Sequence, residues 1–331
     1  MIARRHTLVS ALFVAALVAA CSNSSVGPPS GSAPTSANPT RPVQVGRLSS
    51  PNPGSVNVFW MPGPRGFVVI DTGRNMTGGR RVVEEIRRTG QPVVAVLITH
   101  PHPDHVGGMG PLREAYPQAP IYASEATVKY MRTDPLMFYQ LARRDDTDYP
   151  VKISYPDHTL GPDASLELGG TRWEVAQFGP GESEAATVYY EPITGALFSG
   201  DLTSNHATPA LLEGHTCGWL TNLDQLRDRF PHARTIYPGH GDPGEPSEQI
   251  QAQQTYLQTF RSLVRPAVSA SSPDGTMVSV DERTSIIAEL ERRYPGYPRV
   301  AALPTLQEAN VAGVARELTA ENPASLPLVC R

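Results

Sequence analysis

One stretch of the sequence constrains the fold more than any other: THPHPDHVGG, residues 99–108, which follows the apolar run VVAVLI at 93–98. The run is typical of a buried strand, and the residues after it place four candidate ligands within six positions: His100, His102, Asp104 and His105. Alternate side chains of an extended chain point the same way, so the first two histidines can address one point and the aspartate and third histidine, at a turn, a second. Isolated histidines are usually structural or solvated, whereas this density indicates a metal site at a strand end.

Strand and helix patterns alternate in two runs around this motif. Strands are predicted at 55–61, 66–71 and 234–241 and in several segments from 158 to 199. Helices are predicted at 78–90, across the exposed segment 124–146, and at 219–230, 246–266, 282–294 and about 300–319. Two such runs predict an α/β fold of two packed sheets with helices outside.

The N-terminus has the pattern of a targeting signal. Arg4 and Arg5 precede an apolar stretch at 8–20 that is too short for an ordinary membrane span and ends, after small residues, at Cys21. This pattern resembles a bacterial lipobox, which implies removal of residues 1–20, a lipid anchor at Cys21 and a location outside the cytoplasm. An ordinary secretory signal or an uncleaved anchor is the alternative.

The composition of the rest of the chain indicates a tether after Cys21 and limits the kinds of partner. Residues 21–42 are rich in Ser, Pro and Gly and predict a disordered tether before the part of the chain with strand and helix patterns. Because 28 Lys and Arg stand against 32 Asp and Glu, the charge gives no basis for nucleic-acid binding, and a small-molecule substrate is expected. Outside the cytoplasm Cys217 and Cys330 could form a disulfide, which the sequence leaves open.

The motif HPHPDH resembles the H-x-H-x-D-H signature of the metallo-β-lactamase superfamily. FSGDLTSN, at 198–205, is similar to the family's strand-end aspartate segment, and IYPGHGDPG, at 236–244, to the segment of its late histidine. The resemblance covers roughly residues 43–265, where it implies a catalytic domain, and leaves residues 266–331 as a helical extension. It implies an αβ/βα four-layer sandwich that holds one or two divalent metals at one edge, here with a C-terminal helical extension.

Carried over residue by residue, the resemblance implies a two-metal centre. His100 and His102 would bind the first metal; Asp104, His105 and His240 would bind the second; Asp201 would bridge the two. Zinc is the expected metal, and Asp104 and Asp201 are the residues expected to take part in catalysis by metal-bound hydroxide.

One position departs from the family pattern. Most members have a histidine after a PG turn in the segment that corresponds to FGPGESEAATVYY, at 178–190, and counting back from TVYY places Glu182 there. Glu184 is a less favoured substitute, and a solvated loop carboxylate is the alternative interpretation of Glu182. As a ligand, Glu182 would make the cluster less positive and shift its preference toward iron or manganese.

Four further polar residues are candidates for supporting or substrate contacts. Asp71 follows a strand and resembles the family's early aspartate, which supports the metal ligands. Asn205, His206 and His215 lie in the loop after Asp201, where contact with substrate or proton transfer is possible, although each histidine also fits an ordinary surface role.

These observations favour an exported, lipid-anchored metallohydrolase that acts on an ester, thioester or lactone. A β-lactamase is less favoured, because the bridging aspartate resembles the glyoxalase II and lactonase branches. An iron-dependent oxidative enzyme on the same fold and a non-catalytic metal-binding lipoprotein remain alternatives.

Overall fold

The structure is a computed structural model that describes residues 43–51, 55–271, 278–322 and 324–331. The predicted signal peptide, the tether and Cys21 lie outside these residues. Among the helices that are described, none combines the length and the hydropathy needed to cross a membrane.

Strands and helices alternate as the two sequence runs predict. The strands are β1 (Gly46–Ser49), β2 (Asn57–Gly63), β3 (Gly66–Ile70), β4 (Val93–Leu97), β5 (Ile121–Ser124), β6 (His158–Leu160), β7 (Ser165–Leu168), β8 (Thr171–Phe178), β9 (Ala186–Glu191), β10 (Ala196–Ser204) and β11 (Thr235–His240). The helices are α1 (Met76–Arg88), α2 (Pro103–Val106), α3 (Met109–Ala115), α4 (Glu125–Thr133), α5 (Phe138–Asp145), α6 (Thr216–Arg229), α7 (Pro246–Ser271), α8 (Val280–Arg293) and α9 (Leu306–Ala320), with a short 3₁₀ helix at Leu328–Cys330.

Two sheets form the centre of the fold. In the described residues one sheet has the strand order β1-β2-β3-β4-β5-β6 and the other has the order β11-β10-β9-β8-β7. Large apolar side chains from the facing surfaces, such as Phe59, Leu97, Trp173 and Phe198, are buried between the sheets. Helices cover both outer faces, so the layers run helix, sheet, sheet, helix, and the predicted four-layer α/β sandwich is confirmed.

The segment 124–146 was predicted to be helical and exposed, and the structure differs from this prediction in two respects. It forms two helices, α4 and α5, because Asp134 and Met137 both adopt left-handed backbone conformations, with φ of 40° and 55°, and interrupt the helical hydrogen bonding. Met131 and Tyr139 are buried, so each helix packs one face onto the protein.

The C-terminal helices continue the outer layer of the second sheet. Helix α7 runs through the predicted boundary at 265/266, and apolar side chains of α6, α7, α8 and α9 share one core. Cys217, on α6, and Cys330 form a disulfide with a Cα–Cα distance of 5.2 Å. The extension is therefore packed as part of the same body as the sheets.

Candidate metal centre

Parallel strand pairs place the predicted ligands at one edge of the sandwich. β3 and β4 pair in parallel in the first sheet, and β10 and β11 pair in parallel in the second. The carboxyl ends of parallel strands meet at the same edge, which is where the motif after β4, Asp201 in β10 and His240 at the end of β11 converge. Gly239 is required beside them, because a Cβ at that position would overlap the Asp201 carboxylate.

The first ligand group contains the two histidines of the H-x-H motif and Glu182. The potential donor atoms of His100, His102, Glu182 and Asp201 all lie within 4.8 Å of one another. Glu182 Oε2 lies 3.1 Å from His102 Nδ1 and 3.7 Å from His100 Nε2. Glu182 is 4% exposed, whereas Glu184 is exposed and pairs with His215. The structure thus places Glu182, and not Glu184, at the position where the family pattern has a histidine.

The second group adjoins the first and contains Asp104, His105 and His240. Asp104 Oδ2 lies 3.5 Å from His240 Nε2 and 4.0 Å from His105 Nε2. Asp201 reaches both groups, because its Oδ1 lies 3.2 Å from His105 Nε2 and its Oδ2 lies 3.1 Å from His240 Nε2 and 4.0 Å from His100 Nε2. A carboxylate in this position fits a bridge between two ions.

Hydrogen bonds behind the ligands fix which ring nitrogen faces the centre. His105 Nδ1 donates to Asp71 Oδ2 at 2.8 Å, and His100 Nδ1 donates to Thr99 Oγ1 at 2.9 Å, while that hydroxyl donates to Asp71. His240 Nδ1 donates to the carbonyl oxygen of Ser55. These contacts leave the three Nε2 atoms for the centre. Asp71, with a left-handed φ of 60°, therefore lies behind the ligands, where the sequence predicted it.

Glu213 supports the centre in a way that the sequence did not predict. His102 Nε2 donates to Glu213 Oε1 at 2.8 Å, which leaves His102 Nδ1 facing Glu182. The Glu213 side chain is 5% exposed, and the Tyr130 hydroxyl donates to its other oxygen at 3.5 Å. A buried carboxylate behind a ligating histidine orients the ring and increases its basicity.

The donor atoms fit divalent ions, because several of them are buried and have no hydrogen-bond partner in the described part of the chain. They are Nε2 of His100, His105 and His240, Oε2 of Glu182 and Oδ1 of Asp201. Buried polar atoms normally have partners, so a converging set without them calls for a ligand. Imidazole nitrogen and carboxylate oxygen are donors for zinc and for harder ions such as manganese.

Burial and neighbouring charges perturb the ionisation of the group. Burial raises the pKa of Glu182 to about 7. Burial also acts to raise the pKa of Asp201, but His240, His105 and His100 hold it well below its usual value. Burial and the proximity of His105 lower the pKa of His100. Burial acts to lower the pKa values of His102, His105 and His240, but neighbouring carboxylates raise them above the usual value. A divalent ion would therefore meet an ionised Asp201 and a neutral His100, while it would compete with protons for Glu182 and for these three histidines.

Three residues of the loop after Asp201, which are Asn205, His206 and His215, belong to neither ligand group among the described residues. The Asn205 backbone N–H donates to the His240 carbonyl at 2.9 Å and its side chain donates to the Asp242 carbonyl, so it braces the end of β11. His206 is exposed and packs edge-on against Tyr297 with a centroid distance of 5.6 Å. Neither His206 nor His215 lines the cavity among the described residues, so their predicted contact with substrate is not supported by their positions.

A cavity of about 280 Å³ opens beside the ligands. His102, Asp104, Glu182, Asp201 and His240 line its inner end, and Arg74 lies in its wall. The rest of the lining includes an apolar wall: Phe138, Leu141, Ala142, Ala210, Leu212 and residues 300–303 (VAAL). A mainly apolar cavity with a few convergent polar groups is typical of small-molecule sites.

The fold and the site together define a two-sheet α/β sandwich with a histidine–carboxylate cluster fitted to divalent metal ions at one edge. The chain belongs to the metallo-beta-lactamase superfamily, whose sequence profile matches residues 51–240. This match confirms the family prediction.

Relatives and solved structures agree with this membership. The chain is 25% identical over 195 residues to a probable metallo-hydrolase of Streptococcus pyogenes, covering 56% of this chain and 78% of that protein. It is 30% identical over 161 residues to a hydroxyacylglutathione hydrolase of a Synechococcus strain, covering 48% of this chain and 54% of that enzyme, so it spans about half the relative's length. A crystal structure of a beta-lactamase domain protein from Burkholderia ambifaria matches with a TM-score of 0.60 at 20% identity, covering 83% of this chain and 85% of that one, and shows the shared fold.

Proposed function

We propose that the protein is a metal-dependent hydrolase that cleaves an ester, thioester or lactone. The observation that carries this proposal is the position of Asp201, whose two oxygens approach histidines of both ligand groups. Relatives named metallo-hydrolase and hydroxyacylglutathione hydrolase support the reaction class.

The side chains at the edge of the sandwich would hold two ions next to each other. His100, His102 and Glu182 would bind the first ion, Asp104, His105 and His240 the second, and Asp201 both. When bound, such ions supply a water of lowered pKa and polarise a substrate carbonyl. Asp104 is the most accessible of the three candidate ligand carboxylates, with 20% of its side chain exposed against 4% for Glu182 and 6% for Asp201, and it lines the cavity, so it lies where substrate and water would enter.

The lining of the cavity indicates what a substrate would carry beside the reacting carbonyl. The apolar wall faces the same space as the ligands, and burial of hydrocarbon against it is favourable by about 25 cal/mol per Å². We therefore expect a substrate with an aliphatic or aromatic part next to the scissile bond.

Glu182 affects which ions the centre would prefer. Asp104, Glu182 and Asp201 can offset three of the four positive charges of two divalent ions, one more than a site with histidine at position 182. Zinc is the proposed metal, and the added carboxylate brings iron and manganese into competition with it.

The test is elemental analysis of the purified protein, followed by a panel of esters, thioesters, lactones and one β-lactam. Turnover that disappears with a chelator and returns with zinc supports the proposal. Turnover of the β-lactam alone would place the protein with the lactamases, and tightly held iron together with oxygen consumption would indicate an oxidative enzyme. Full metal content without turnover of any compound would leave a metal-binding role.

We further propose that the protein is exported and anchored by a lipid at Cys21. The support is the apolar stretch at 8–20 that ends at this cysteine, followed by a Ser/Pro/Gly-rich segment. Cys21→Ser should move the protein from the membrane fraction to the soluble fraction, and unchanged membrane association of that variant would contradict the lipid anchor.

A further inference from the structure

Arg74 lies in the wall of the metal cavity and has no ion-pair partner among the residues that the structure describes. It follows β3, three positions after Asp71, and it is partly buried. Its Nη2 atom is buried without a hydrogen-bond partner, and no carboxylate of the described residues lies within 4.0 Å of its guanidinium. Because burial of a charged nitrogen without a partner costs free energy, a group of this kind in a binding cavity calls for a ligand.

The acidic residues of the same cavity do not supply that partner. Asp145 pairs with Arg144 at 2.6 Å, and Asp146 Oδ2 accepts a hydrogen bond from Asn75 Nδ2 at 2.8 Å. Asp104 and Asp201 belong to the ligand groups of the metal centre. Arg74 is the one Arg or Lys that lines the cavity among the residues that the structure describes.

We propose that Arg74 binds an anionic group of the substrate, such as a carboxylate, while the metal centre acts on a carbonyl elsewhere in the same molecule. The planar guanidinium matches a carboxylate with two parallel hydrogen bonds, which gives orientation as well as affinity. With hydrocarbon packed on the apolar wall, the substrate is then an amphipathic anion. This inference rests on the proposed hydrolase function, because it assigns the part of the substrate that does not react.

A matched pair of substrates tests the inference directly. The pair is the monoethyl ester of suberic acid, which has a free terminal carboxylate, and ethyl octanoate, which has the same chain length and no charge. The wild-type protein should prefer the anionic ester. Arg74→Gln should lower kcat/KM for that ester by about 10- to 100-fold, mainly through KM, because a charge-assisted hydrogen bond is lost, and should change kcat/KM for the neutral ester much less.

Two further variants separate binding by Arg74 from a general effect of charge. Arg74→Lys keeps the positive charge but not the planar guanidinium that can make two parallel hydrogen bonds, and it should retain part of the preference for the anionic ester. Arg81→Gln makes the same change of charge at an exposed position of α1, outside the cavity, and should behave as wild type. A ratio of the two esters that does not change in Arg74→Gln, or an equal loss for both, would overturn the inference.

A binding measurement separates the inference from the hydrolase proposal. Octane-1-sulfonate should raise the unfolding temperature of the zinc-loaded wild-type protein and should raise it much less in zinc-loaded Arg74→Gln, since the metals are common to both. If neither ester is cleaved and the panel of esters, thioesters and lactones gives no turnover, the hydrolase proposal fails, but a smaller shift in Arg74→Gln still supports anion binding. Equal shifts in both proteins would contradict it. Without ligand, Arg74→Gln should unfold at the wild-type temperature or above it, because an unpartnered charge is removed, whereas a structural arginine would give a lower temperature.

Discussion

Glu213 should tune the affinity of the first metal position through a histidine. Its carboxylate accepts the Nε2–H of His102 at 2.8 Å, and only 5% of its side chain is exposed, so water cannot replace the contact fully when the carboxylate is removed. Loss of such a supporting partner typically costs 10- to 100-fold in metal affinity. Each factor of ten in affinity corresponds to about 1.36 kcal/mol, so Glu213→Ala should weaken the binding free energy of the first ion by about 1.4–2.7 kcal/mol.

The effect should be confined to one of the two ions. Glu213 contacts His102 of the first group and no ligand of the second group among the described contacts, so a zinc titration against a competing chelator should show one weakened step. Glu184→Ala is the matched control, because it removes an exposed nearby carboxylate that pairs with His215 instead. Wild-type affinity in Glu213→Ala, or an equal loss at both steps, would refute the reasoning.

Three other predictions concern the ligands and the disulfide. Asp201→Asn should lower the content of both ions, as measured by elemental analysis, because its carboxylate approaches both ligand groups; two fully retained ions would exclude a bridge. The zinc affinity of the first position should rise as pH rises through about 7 and should rise less steeply in Glu182→Gln, because burial raises the pKa of Glu182 to about 7 and the metal binds the ionised form; the same pH dependence in both proteins contradicts ligation by Glu182. Cys217→Ser should lower the free energy of unfolding by about 2–5 kcal/mol in denaturant titrations, because the bond joins residues 113 positions apart, and a stability equal to that of the oxidised wild type would contradict a structural role.

The local part of the site could be predicted from the sequence because its ligands are close together in the chain. The motif at 99–108 places several donors on one strand end, and the run before it is buried as expected of β4. Asp201 and His240 were predicted from short segments whose strands pair in parallel in the structure. Glu182 was placed by counting from the following strand, and its position beside His102 agrees with that count.

The supporting residues could not be predicted because their contacts cross long separations in the chain. Glu213 is 111 positions from His102, and a single glutamate in a loop gives no pattern that distinguishes it from a solvated one. Arg74 was not predicted for the same reason. Its role is indicated by a buried guanidinium nitrogen without a hydrogen-bond partner, and only the structure shows this. The break at Asp134 and Met137 depends on left-handed backbone conformations of residues other than glycine, which composition does not indicate.

The apolar wall has a consequence for how this protein can be re-engineered. The candidate ligands lie between His100 and His240, inside the region that matches the superfamily, whereas the wall residues 300–303 lie outside it. The backbone around them is held by hydrogen bonds from Thr208 to Pro298 and from Val300 to Thr208, at 2.8 and 3.1 Å. The candidate metal ligands and one face of the cavity are therefore encoded in separate segments of the gene. A combinatorial library that varies only the four codons for residues 300–303 can change the shape of the cavity while the metal ligands stay unchanged.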